Sequence, residues 1–96
     1  MSNERPLEAQ MSADALYREE TFTDQRVGTV RRMSPVKPDG SDDPSRPFIF
    51  IGQATVMTPM GSLPLSFELP AKSLAEAVTL FGPAAALLLL QLVLFP

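Results

Sequence analysis

The sequence predicts an α+β fold for this 96-residue chain: a small antiparallel β-meander of three to four strands followed by a C-terminal hydrophobic helix. Three observations carry the prediction. Short alternating runs separated by proline- and glycine-rich turns fill residues 17–69. A helix-capping sequence with an apolar stripe at helical spacing follows them. Beyond that stripe the chain is almost wholly apolar, and nothing charged follows Glu76. The expected organisation is a flexible N-terminal arm at 1–15 and a single small domain at 16–96, with a loop at 36–47 and the helix at 73–95.

The arm is polar and lacks clear periodicity, with a short helix over 12–20 as an alternative. From Tyr17 the character turns strand-like: Thr21, Phe22 and Thr23, then Val27, Gly28, Thr29 and Val30, suit a pleated surface. A strand over roughly 26–33 ends at Ser34-Pro35, because a proline cannot donate to a ladder and holds its predecessor extended. Residues 36–47 (VKPDGSDDPSRP) are turn chemistry with almost nothing to bury, and a flexible solvent loop is expected there.

Residues 48–57 (FIFIGQATVM) make the strongest strand. Phe48, Phe50, Ala54 and Val56 fall on one face, and Ile49, Ile51, Gln53 and Met57 on the other. Apolar residues on both faces predict a central strand covered on both sides. Gly52 marks a bulge or a close backbone approach. Thr58-Pro59-Met60-Gly61 suits a type I turn. Residues 62–69 (SLPLSFEL) then alternate, with Leu63, Leu65, Phe67 and Leu69 on one face, and Pro64 argues for a sheet edge.

Ser73 and Glu76 form a capping box, and Leu74, Ala77, Val78 and Phe81 follow at i, i+3, i+4 and i+7. After Gly82-Pro83 comes AAALLLLQLVLFP, whose sole polar side chain is Gln91. The Gly82-Pro83 pair either kinks one long helix or ends one and starts another. A sheet this small covers one side of such a helix and no more, so the remaining apolar surface needs a partner.

The missing residue types narrow the function. The chain has no His, Cys or Trp. It therefore has no side chain that ordinarily titrates near neutrality, no thiolate, no disulfide framework and no sulfur-based metal site. Lys72 and Ser73 are adjacent, and neighbours at i,i+1 on a helix do not face each other. No catalysis, cofactor or small-molecule substrate is indicated. Asp39, Ser41 and Asp43 have alternate calcium-loop spacing, but the sixth and twelfth positions hold Pro44 and Phe50 in place of Gly and Glu. The net charge of −3 argues against nucleic acid, and the basic stretch Arg26, Arg31, Arg32, Lys37 and Arg46 is interleaved with aspartates. The first ten residues carry early charge of both signs and no apolar core, unlike a secretory signal, so a cytoplasmic location is expected.

The expected role is a non-catalytic interaction or accessory protein that assembles through its apolar C-terminal helix, with a second copy or another protein as partner. The candidate contact residues are Leu87, Leu88, Leu89, Leu90, Leu92, Val93, Leu94 and Phe95. The alternative is a tail-anchored membrane protein presenting a cytoplasmic β domain, which requires a helix continuous through Pro83.

Overall fold

Four strands form in sequence order: β1 (Tyr17–Thr23), β2 (Gly28–Pro35), β3 (Ile49–Thr58) and β4 (Gly61–Leu69). They pair as one antiparallel sheet in the order β1-β2-β3-β4, and the helix α1 (Leu74–Leu94) follows. This computed structural model describes residues 9–94. The first eight residues of the arm expected at 1–15, and the candidate residue Phe95, lie outside that range.

Ala13–Ala15 form one 3-10 turn, and Tyr17–Glu20 are already strand. The alternative of a helix over 12–20 is thereby overturned: Tyr17 pairs with Pro35 and Glu20 with Arg32, and the sheet claims those backbone groups. The register passes through Gly52 without a bulge, pairing it with Val30 and Phe67. The glycine is needed for a side-chain approach instead, because a Cβ there would collide with the Phe67 ring.

β3 is central, as expected, but the helix covers one face of the sheet. On that face Val30, Phe50 and Leu69 are buried with Ala77 of α1. On the other, Ile49 and Ile51 are half-buried beside their cross-strand neighbours Met33 and Arg31. Arg31 in turn pairs with Glu19 at 3.1 Å, so long polar side chains and not a second layer shield this apolar ground.

The 36–47 loop, expected as a solvent loop, is exposed at most of its positions and internally hydrogen-bonded. Asp39 Oδ1 accepts from the Ser41 amide at 3.0 Å and its hydroxyl at 2.7 Å; Asp43 Oδ1 accepts from Ser45 in the same way. The Arg46 guanidinium donates to the backbone carbonyls of Leu16 (2.9 Å) and Val36 (2.8 Å) and to Asp43 Oδ2 (3.1 Å). It also lies over the Tyr17 ring, 4.9 Å from its centroid. One side chain thus joins the start of β1, the end of β2 and the loop.

α1 begins with the expected cap. Ser73 Oγ accepts from the Glu76 amide at 3.1 Å, while the Glu76 carboxylate accepts from the amide of Lys72 at 2.8 Å, one residue earlier than the standard box. The helix continues through Pro83 without a break. Its inward stripe is Leu74, Ala77, Leu80, Phe81 and Ala84. Val78 is 59% exposed, which corrects the stripe as predicted. The i, i+3, i+4, i+7 series starts from Ala77 and not from Leu74, because the fully buried alanine is where α1 lies closest to the sheet.

Candidate interaction surface

The direction of α1 follows from its neighbours. Ala77 sits among Val30, Phe50 and Leu69. One turn later Phe81 meets the Phe67 ring edge-on at 5.2 Å, and a Cβ at Gly28 would lie 3.0 Å from the Phe81 ring. Leu69 to Phe67 and Val30 to Gly28 are both steps away from the 36–47 loop, toward the end of the sheet that carries the β1–β2 and β3–β4 turns. The helix therefore advances toward the turn end. Ala84 is the last helix residue packed against this Val30–Phe50–Leu69–Ala77 cluster, while Ala85, Leu88 and Leu89 beyond it are half-buried.

The last ten described residues, 85–94, continue beyond that point for about 15 Å at 1.5 Å per residue. Leu87 is 62% exposed and Val93 73%, and Leu90, Leu92 and Leu94 are also exposed. Leu88 and Leu89 are half-buried. Successive residues advance about 100° around the axis, so these seven positions occupy nearly the whole circumference and Gln91 alone interrupts it. The structure thus brings together seven of the eight candidate residues as one apolar surface, not as a one-sided stripe.

Two features escaped the sequence reading. The first is an open apolar groove of about 410 Å³ beside the helix, lined by Phe22, Val27, Val30, Leu74, Val78 and Phe81 among others. It exists because one helix is narrower than a four-stranded sheet, leaving the β1 side of the inner face, at Phe22, uncovered. At its rim Asp24 Oδ1 accepts from the amides of Arg26 and Val27, both at 2.9 Å. Those backbone donors hold its carboxyl below the usual range. The second is the β3–β4 hairpin tip, where Met60 is 98% and Met57 77% exposed.

Most charged side chains lie along β1 and β2 or toward the loop end, with Asp24 and Arg26 in the β1–β2 turn at the other end. Arg18–Asp42, Arg32–Glu20 and Arg46–Asp43 are paired at 2.9, 2.8 and 3.1 Å toward the loop end, so much of the basic stretch is neutralised within the fold. The Asp39 and Asp43 carboxyls are both held low, Asp43 at about 2, by the hydroxyl and amide of the serine two residues on, with Arg46 adding to the effect at Asp43. These oxygens are committed to turn geometry, and among the described residues no group of three carboxylates is arranged to hold a metal ion. Ser73 Oγ is engaged in the helix cap. No family model matches the chain, and no curated protein or solved structure matches it.

Proposed function

We propose that this chain is a non-catalytic interaction module held at a membrane by α1, with its β-sheet on the cytoplasmic side. One observation carries the reading: α1 runs unbroken through Pro83 and leaves residues 85–94 apolar around almost their whole circumference. A partner helix covers one stripe of another helix, whereas lipid covers all of it. The sequence ranks protein assembly ahead of anchoring; the unbroken helix reverses that order. α1 carries no charge after Glu76, so its far end can enter hydrocarbon while the part from Leu74 to Ala84 stays packed on the sheet. Every Lys and Arg precedes the uncharged stretch, which favours a cytoplasmic sheet.

Self-assembly is the second reading, and Gln91 favours it. An amide side chain in an otherwise apolar helix is costly in hydrocarbon unless it finds a partner, and the same residue of a second copy supplies one.

The test is fractionation of the full chain without detergent. The membrane reading expects carbonate-resistant sedimentation with membranes, lost in Leu90→Glu with Val93→Glu. Each carboxylate costs about 2.5–3.5 kcal/mol at a bilayer centre, so the partition should fall by more than a hundredfold. Both positions are exposed, so the sheet should stay folded by circular dichroism. A soluble wild-type chain with a mass that is a multiple of 10.5 kDa would replace anchoring by self-assembly.

A further inference from the structure

We infer that the β3–β4 hairpin tip is a second lipid contact, entering the same membrane surface as the end of α1 while the helix stays docked on the sheet. This rests on the membrane reading above and adds a pose to it. Three observations support it.

The hairpin and the helix project the same way. Ala54 is the last β3 residue with a partner in β2, namely Gly28. β3 and β4 continue past that rung as a two-stranded ribbon of four more pairs, from Thr55–Pro64 to Thr58–Gly61. At about 3.4 Å per residue the ribbon reaches about 13 Å farther. Phe81 lies at the neighbouring Gly52–Phe67 rung, and α1 advances toward this same end. Its residues 85–94, exposed apart from the half-buried Ala85, Leu88 and Leu89, extend about 15 Å. Two arms of similar reach therefore leave the sheet at its turn end.

The tip has the chemistry of a lipid contact. Residues 47–67 contain no Asp, Glu, Lys or Arg, and neither do residues 77–96. Met60 and Met57 are among the most exposed apolar side chains in the described residues, at 98% and 77%. Pro59 stands between them in the turn. Unbranched thioether side chains adapt to an irregular apolar environment without requiring a shaped pocket. The tip's own polar groups are partly satisfied: Thr58 Oγ1 accepts from the Met60 amide at 3.2 Å and donates to the Gly61 carbonyl at 2.6 Å.

The surface also matches an uncharged lipid better than a protein or an anionic membrane. No cation lies on either arm to meet anionic headgroups, and the one cation of the β1–β2 turn at this end, Arg26, is accompanied there by Asp24. A docked α1 places residues 85–94 at the depth of one leaflet, about half of the ~30 Å hydrocarbon. A helix that crossed completely would withdraw Ala77 and Phe81 from the sheet and leave the hairpin in water.

The chain has no cysteine, so single-site labelling is clean. The full chain carrying Lys37→Cys, Met60→Cys or Leu90→Cys is labelled with a polarity-sensitive fluorophore and mixed with phosphatidylcholine vesicles, with and without a lipid-borne quencher. Met60 and Leu90 labels are expected to shift blue and be quenched, while the Lys37 label, in the loop at the other end, stays as in water. Met57→Asp with Met60→Asp, at positions too exposed to disturb the fold, should weaken vesicle partition about tenfold. A Met60 label that remains in water while Leu90 enters lipid overturns the hairpin contact and leaves the anchor standing. Both labels remaining in water overturns the anchor and the hairpin contact together.

Discussion

Arg46 does more for the fold than any other charged residue described. Its guanidinium meets two carbonyls and one aromatic ring from segments 10 to 30 positions away, and the nearby Asp43 carboxylate. Arg46→Ala should cost about 2 kcal/mol in urea unfolding, since it deprives Leu16 and Val36 of a charged donor. Arg46→Lys should recover less than half, because an ammonium cannot reproduce the planar fork; full recovery would show that charge alone suffices. Gly52 is the second such position. Phe67 lies across it, so Gly52→Ala should destabilise by about 1–3 kcal/mol through overpacking, and pairing it with Phe67→Leu should restore part of the loss. Neither residue announces its role in the sequence. Arg46 reads as one more charge in a polar loop, and its partners are up to 30 positions away. Gly52 is visible as an anomaly in a strand, but the ring that requires it comes from the next strand.

Elements specified by neighbouring residues were legible. The β3–β4 hairpin follows from Pro59 at the second turn position and Gly61 at the fourth, where φ is 121°. The cap at Ser73 and Glu76 is likewise a short-range bond pattern. The inward stripe of α1 was legible only in part, since starting the series at Leu74 or at Ala77 is decided by where the helix touches the sheet. Pro83 is the informative position within the element. It has no amide to donate to the Thr79 carbonyl, yet the helix runs on. Pro83→Ala should therefore strengthen the helix by about 2–3 kcal/mol locally. Slower amide exchange at residues 84–88 would report it, and unchanged exchange would mean that the proline is already accommodated at no cost.

At the scale of the molecule the loops carry the acid sensitivity. Asp24, Asp39 and Asp43 all have carboxyls lowered from 3.8 by hydrogen bonds to nearby backbone and hydroxyl groups. A carboxyl lowered in the folded state stabilises it fully above the unfolded value and ceases to do so as pH falls through the folded one. The urea midpoint should hold from pH 7 to 5 and decline below pH 4 toward about 2, the Asp43 value. A midpoint unchanged down to pH 2 would show that these turns do not limit stability. The segregation of charge was partly legible, since the sequence already shows that most of it precedes residue 47. What the sequence could not show is that the meander carries the uncharged hairpin and the uncharged helix to one end.

The strict β1-β2-β3-β4 order bears on how the chain acquires its structure. Each strand pairs with the one made immediately before it, so the loops closed during folding are two and four residues at the two tight turns and 13 at the β2–β3 connection, and the entropic cost stays modest. The sheet needs no residue after Leu69 to complete its ladders. The ladders are therefore complete without α1, whose Ala77 and Phe81 pack against a sheet already specified by local pairings.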